Sequence, residues 1–164
     1  KLGSVTTFTI SLPALEVPAP EQTPLERVAP SRGEGQTVLV VEDETIVRNA
    51  LVESLEAWNY RAIEAANGKE ALTAIETGDD AIELVVSDVV MPEMGGIPLF
   101  HALQARDQPI PVILLTGHPM DSELDALKAQ GLVAWLAKPP NLERLGQVIG
   151  EALHQSATPS QSDQ

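Results

Sequence analysis

The 164-residue chain has no cysteine. Disulfides, thiolate metal sites and a cysteine nucleophile are therefore excluded, and the absence fits a reducing compartment. Aromatic residues make up only 3% of the sequence, so a core drawn from its 43% hydrophobic content is mostly Val, Ile, Leu and Ala. Basic residues are scarce: 10 Lys and Arg stand against 24 Asp and Glu, a formal net charge of −14. Such a surface repels phosphate backbones and anionic lipid, which argues against direct contact with nucleic acid or membrane. No apolar run approaches the roughly 20 residues of a membrane-spanning helix. No signal peptide is visible, and the chain opens on Lys1 rather than Met. We expect a cytoplasmic piece of a longer protein, with room for one ordinary domain and flanking segments.

Composition divides the chain. Residues 1–13, KLGSVTTFTISLP, are strand-like, with Phe8, Ile10 and Leu12 alternating with Thr7, Thr9 and Ser11. Residues 14–35 hold Pro18, Pro20, Pro24 and Pro30 without a usable period, the mark of a semi-extended linker. Residues 36–155 carry the pattern of a globular domain, and 156–164 form a flexible polar tail.

Within 36–155, apolar runs and helical patterns take turns. TVLVV (37–41) is a short continuous apolar run, as in a strand buried on both faces. Val47, Leu51, Leu55 and Trp58 recur at helical spacing over 45–58. YRAIEA is a weaker strand. A helix then opens on Asn67 as N-cap, with Glu70 three residues later, and closes at Gly78. IELVVS, PVILLT and VAWLA supply the third, fourth and fifth strands. Between and after them fall helices over 98–106, 121–130 and 141–154, the last burying Leu142, Leu145, Ile149 and Leu153. Five strand–helix alternations predict an α/β fold, a doubly wound parallel sheet with helices on both faces. In such sheets ligands collect outside the carboxyl ends of the strands.

The strand exits carry chemistry. The first opens onto Glu42, Asp43 and Glu44, the third onto Asp88, the fourth onto Thr116 and the fifth onto Lys138. Carboxylates at neighbouring exits repel one another unless a cation shares the site. Oxygen ligands with room for water suit Mg²⁺. Once the site is neutralised, one carboxylate can attack a phosphoryl donor and become an aspartyl phosphate. Lys138 would pair with the phosphoryl oxygens and Thr116 would hydrogen-bond one of them, which is the positioning that phosphoryl transfer needs. In SDVVMPEMGG, Asp88 is then the presented nucleophile. Met91-Pro92 stiffens the loop, and Gly95-Gly96 lets it turn into the next helix. Glu44 reads first as helix-entry charge near a positive dipole end, with metal contact as the lesser alternative. His101, His118 and His154 are scattered singly and read as surface residues.

The motifs VLVVEDE, SDVVMPEMGG, LLTG and AKPP, in this order and spacing, resemble the receiver domain of two-component response regulators. The resemblance covers roughly residues 36–155. It implies a flavodoxin-like (βα)5 fold with strand order 2-1-3-4-5, Mg²⁺ held by Glu42, Asp43, Asp88 and the Val90 backbone carbonyl, and phosphate accepted on Asp88. It also implies Thr116 and Lys138 as switch and phosphate partners, and a cis peptide at Lys138-Pro139. Trp135 stands where the family has a rotating Tyr or Phe; for this bulkier ring, packing and switching are both open. Val90 and His118 stand at positions that tune phosphate lifetime, and an apolar Val90 cannot orient a hydrolytic water.

GSVTTFTISLP is also similar to the closing strand of a histidine-kinase ATPase domain, although Val5 replaces its second glycine. Together the two resemblances imply the carboxyl-terminal part of a hybrid histidine kinase. The expected partners are the kinase domain carrying the phosphohistidine and a downstream histidine phosphotransfer protein. The fragment itself is not a kinase. Two other functions compete with a working phosphoacceptor. One is a receiver-fold interaction module that regulates the kinase core without phosphorylation, and the other is a small Mg²⁺-dependent phosphatase.

Overall fold

The computed structural model describes residues 31–78, 81–117 and 126–156. The strand-like stretch 1–13, the linker up to residue 30, His118 and the tail from 157 lie outside the described residues. Five strands, β1 (Thr37–Val41), β2 (Arg61–Ala65), β3 (Leu84–Asp88), β4 (Val112–Thr116) and β5 (Ala134–Ala137), form one sheet. All pairings are parallel, in the order β2-β1-β3-β4-β5. Helices α1 (Thr45–Ala57), α2 (Gly68–Thr77) and α3 (Gly96–Gln104) and a C-terminal helix (Leu142–Ser156) connect and cover it. Residues 126–129 are also helical. No described helix is long and apolar enough to cross a membrane.

The period of two in the strands sorts their side chains onto two cores. Val38, Val40, Val86, Ile113 and Leu115 meet Leu51 and Leu55 of α1 and Leu145 and Ile149 of the C-terminal helix. Leu39, Val41, Val85 and Leu114 meet Ala71 of α2 and Leu99, Phe100 and Leu103 of α3. The three central strands are buried along their whole length, which is why each reads as an unbroken apolar run.

The structure departs from sequence expectation where packing or hydrogen bonding overrides local pattern. α3 begins at Gly96 rather than Pro98. Pro98 still sits in the first turn, where a backbone N–H has no intrahelical partner to lose. Leu142 is 44% exposed rather than buried, because it is the first residue of its helix and the core stripe starts at Leu145. β5 is half-buried, as an edge strand is, rather than a fully buried run. Asn67 caps α2 by accepting from the N–H groups of Lys69 and Glu70, but Glu70 returns to the Ala66 N–H and the Asn67 side-chain amide.

Residues 31–35, linker by composition, are bound to the domain. The Gly33 N–H donates to Trp58 O at 2.8 Å and the Gly35 N–H to Asn59 O at 3.1 Å. The Asn59 side chain returns a bond to Gly33 O, and the Tyr60 hydroxyl donates to Ser31 O.

Candidate functional site: an acidic cluster at the strand exits

Parallel register places the exits of β1, β3, β4 and β5 level. Val41 pairs with Ser87, Asp88 with Leu115 and Thr116 with Ala137. The residues that follow β1 and β5 and the ends of β3 and β4 therefore converge. One ligand atom each from Glu42, Asp43 and Asp88 lies within 4.8 Å of the others. Lys138 Nζ bridges two of these carboxylates, at 2.6 Å from Glu42 Oε2 and 2.7 Å from Asp88 Oδ2. Glu42 is only 1% exposed, whereas Asp43 faces solvent. Thr116 is buried at the end of β4, and its carbonyl accepts from the Lys138 N–H at 2.7 Å. The Lys138–Pro139 peptide is cis.

The electrostatics follow from burial. Loss of water pushes the Glu42 carboxyl above its ordinary value against the pull of Lys138, and the Asp88 charge adds to the rise. Burial alone would lower the Lys138 ammonium, but its bonds to Asp88 and Glu42 outweigh that and hold it above the usual lysine value. Three carboxylates against one ammonium leave the cluster negative. The donor set is all oxygen, small and open on the Asp43 side, which fits Mg²⁺ with part of its water shell retained.

The loop after β3 is fastened at several points. The Val89 N–H donates to Leu115 O and the Gly96 N–H to Val89 O. Ser87 Oγ donates to the Asp88 carbonyl at 2.9 Å, and the Val90 N–H reaches Asp88 Oδ1 at 3.4 Å. Val90 itself is 70% exposed. Farther on, Met94 O accepts from the Gly68 N–H at the start of α2. Gly95 and Gly96 are needed here for space rather than for a left-handed turn. Gly95 caps α3 in an extended conformation, and a Cβ on it would lie 2.5 Å from Val89 O. A Cβ on Gly96 would collide with the Asp88 carbonyl oxygen, with Leu114 and Ser87 side-chain atoms at 2.9 and 3.0 Å. Gly96→Ala is therefore expected to cost about 1–3 kcal/mol, read as a lower urea midpoint with an unchanged slope.

Sequence reasoning missed Arg48. Its guanidinium lies under the β1–α1 loop and donates from Nη1 to the carbonyl of Glu42 at 2.6 Å. It also reaches the Asp43 carbonyl at 3.5 Å and Thr45 Oγ1 at 3.4 Å. Nε pairs with Glu64 Oε2 of β2 at 3.2 Å. The only sequence signal is an arginine one turn into the helix that follows an acidic triplet. Glu44 is the N-cap residue of α1 with no side-chain cap bond. Trp135 packs half-buried against the core cluster on the α2 and α3 face of the sheet. Its buried indole N–H has no hydrogen-bond partner among the described residues.

A doubly wound sheet carrying an acidic cluster and a bridging lysine at one edge defines a receiver of the two-component class. Residues 38–150 match the response regulator receiver domain family, and the chain belongs to that family. It is 36% identical over 161 residues to the Sensor kinase CckA of Brucella abortus, covering 93% of this chain and 17% of the relative. It is 34% identical over 120 residues to the Transcriptional regulatory protein GlrR of Escherichia coli, covering 73% of this chain and 27% of the relative. The chain thus spans less than a third of the length of either relative. Among solved structures, the Vibrio cholerae chemotaxis protein CheY4 superposes with a TM-score of 0.66 at 30% identity, over 73% of this chain and 99% of that one.

Proposed function

We propose that this receiver accepts a phosphoryl group from a phosphohistidine onto Asp88, as the C-terminal part of a hybrid histidine kinase. The observation that carries the reading is Lys138 Nζ, held between the Glu42 and Asp88 carboxylates beside the exposed Asp43. One Asp88 carboxylate oxygen bonds to phosphorus as the phosphorus–nitrogen bond to the donor imidazole breaks. Lys138 then follows the new charge from the carboxylate to the phosphoryl oxygens, and the Thr116 hydroxyl donates to one of them. Mg²⁺, when held by Glu42, Asp43, Asp88 and the Val90 carbonyl, would supply the remaining charge neutralisation. Val90 is apolar and exposed, so it offers no group to orient a hydrolytic water; His118 is the residue proposed to set the lifetime of the phosphate.

The kinase context draws on the alignment to CckA. It covers 93% of this chain, more than the receiver match of 38–150, so the likeness takes in chain outside the receiver. The proposed organisation is a kinase-domain remnant over 1–13, a linker from 14 whose last residues, 31–35, dock on the domain, the receiver over 36–155 and a tail. The partners are the kinase domain bearing the phosphohistidine and a downstream histidine phosphotransfer protein, all in the cytoplasm. Trp135 serves as the switch residue. Its indole N–H is buried without a partner among the described residues, and rotation to solvent would give it one.

Acetyl phosphate with Mg²⁺ is expected to add one phosphoryl group, read by intact mass, and chelation of the metal with EDTA should abolish the gain. No adduct from acetyl phosphate or from a kinase phosphohistidine, together with no Mg²⁺ binding, would overturn the reading. That result would favour an interaction module that works unphosphorylated.

A further inference from the structure

We propose that Arg48 is a positioning residue for the metal-binding carboxylates, acting through the backbone that carries them. The inference rests on the Mg²⁺ reading of the Glu42–Asp43–Asp88 cluster. Arg48 touches no carboxylate of that cluster among its recorded contacts. Its bonds go to the carbonyl oxygens of Glu42 and Asp43, the two residues that bring ligands from the β1–α1 loop. The 2.6 Å bond to Glu42 O is charge-assisted and short. The same guanidinium reaches the Thr45 hydroxyl on the first turn of α1 and the Glu64 carboxylate on β2.

Four acceptors on three elements thus converge on one planar fork. The 2.6 Å bond holds the peptide plane between Glu42 and Asp43, from whose two ends both ligand side chains leave; the 3.5 Å contact to Asp43 O is a weak addition. The site needs such a fixture. Among the described residues the other bonds of the loop are the Glu42 N–H to Ala65 O, the Arg48 N–H to Glu44 O, Lys138 Nζ to Glu42 Oε2 and a long contact from the Glu44 N–H to Glu42 Oε1 at 3.4 Å; none of them holds the Glu42 or Asp43 carbonyl. Mutual repulsion among the carboxylates works to spread them whenever no cation is bound. Arg48 is 15% exposed at its side chain, and its short bond to Glu42 O is partly buried, whereas its Glu64 partner is open to water. A lysine cannot replace the fork, because a single ammonium lacks the geometry to hold two carbonyls and a carboxylate at once.

The sign of the effect separates positioning from charge. A cation beside a metal site repels the metal, so if Arg48 acted only as a charge, its removal would tighten Mg²⁺ binding. If it positions the ligands, removal weakens binding, by about tenfold or more as for other groups that orient metal ligands. The experiment is calorimetric titration of Mg²⁺ into the full chain, with melting curves on each sample. Arg48→Ala and Arg48→Lys are both expected to bind Mg²⁺ about tenfold more weakly, and Glu64→Gln to bind it more weakly than wild type in the same direction. Glu64→Gln retains Arg48 and keeps the test open should Arg48→Ala not fold. Unchanged Mg²⁺ affinity with a lower melting temperature would make Arg48 a merely structural residue, and tighter binding would make it a simple charge; either overturns the proposal. Asp43→Asn serves as the reference. If it abolishes binding while the Arg48 variants bind normally, the metal site stands and the positioning role falls. If the wild type itself binds no Mg²⁺, both fall.

Discussion

Lys138→Met is expected to destabilise the metal-free protein by about 3 kcal/mol at neutral pH, the scale for removing one partner of a buried ion pair. Lys138 holds two carboxylates at once, and its side chain is 22% exposed against 1% for Glu42. Without it, Glu42 remains in a site where desolvation and Asp88 both disfavour its charge. The pH dependence follows. Glu42 already has a folded pKa above its unfolded value, and loss of Lys138 raises it further. A raised carboxyl costs nothing below the unfolded value, near pH 4, where it is protonated in both states. The unfolded value is common to both proteins, so the penalty of the variant relative to wild type appears as pH rises past the folded value of Glu42 in wild type and levels off above its higher value in the variant. Urea unfolding at several pH values checks this; a penalty independent of pH would mean that Lys138 contributes packing alone. Mg²⁺ should raise the melting temperature of the variant more than that of wild type, because the competing ammonium is gone and ligand stabilisation grows with affinity.

The contrast with Arg48 lies in where each cation acts. Lys138 bonds the carboxylate oxygens, where its charge competes with metal. Arg48 bonds the carbonyls behind them, so its loss costs geometry.

Much of this arrangement was legible in the sequence because burial leaves a mark. β1, β3 and β4 are covered on both faces, so each is an unbroken apolar run, and the first polar residue after or at the end of each run is a strand exit. Glu42, Asp43, Asp88 and Thr116 were found in that way and Lys138 as the residue after the fifth apolar run, and the structure brings all five to one edge. What escaped reading depends on groups that carry no pattern. Arg48 is held by backbone carbonyls and by Glu64, sixteen residues away, and neither produces periodicity. Residues 31–35 are fixed by backbone hydrogen bonds to the α1–β2 turn, so their composition still looks like linker. Gly95 and Gly96 were legible as glycines, but the reason was not: it is the nearness of Val89, Asp88 and Leu114, which only the packed α3 supplies. The edge position of β5 likewise depends on strand order, and local sequence does not encode its half-burial.

Asp88→Asn should abolish phosphoryl gain outright while leaving the metal-free fold at least as stable as wild type. The amide nitrogen is not a nucleophile, and an amide oxygen lacks the charge that attack on phosphorus requires, so the expected mass gain is zero under conditions that load wild type. The stability follows from charge. Asp88 raises the Glu42 carboxyl, and the cluster holds more carboxylates than ammonium groups. Asparagine keeps one acceptor, enough for Lys138 Nζ, and gives up the long 3.4 Å bond from the Val90 N–H, which reaches the other oxygen; it also removes one negative charge, which leaves Lys138 to neutralise Glu42. A gain of about 1 kcal/mol is expected, in the range seen where a functional site is kept at the expense of stability. Mg²⁺ binding should weaken at the same time, since one anionic ligand is lost. Intact mass, chemical denaturation and Mg²⁺ titration on one preparation test all three. A variant that still gains a phosphoryl group would place the acceptor elsewhere. One that loses stability would show that the Asp88–Lys138 bond outweighs the repulsion, making this aspartate a structural anchor as well as a nucleophile.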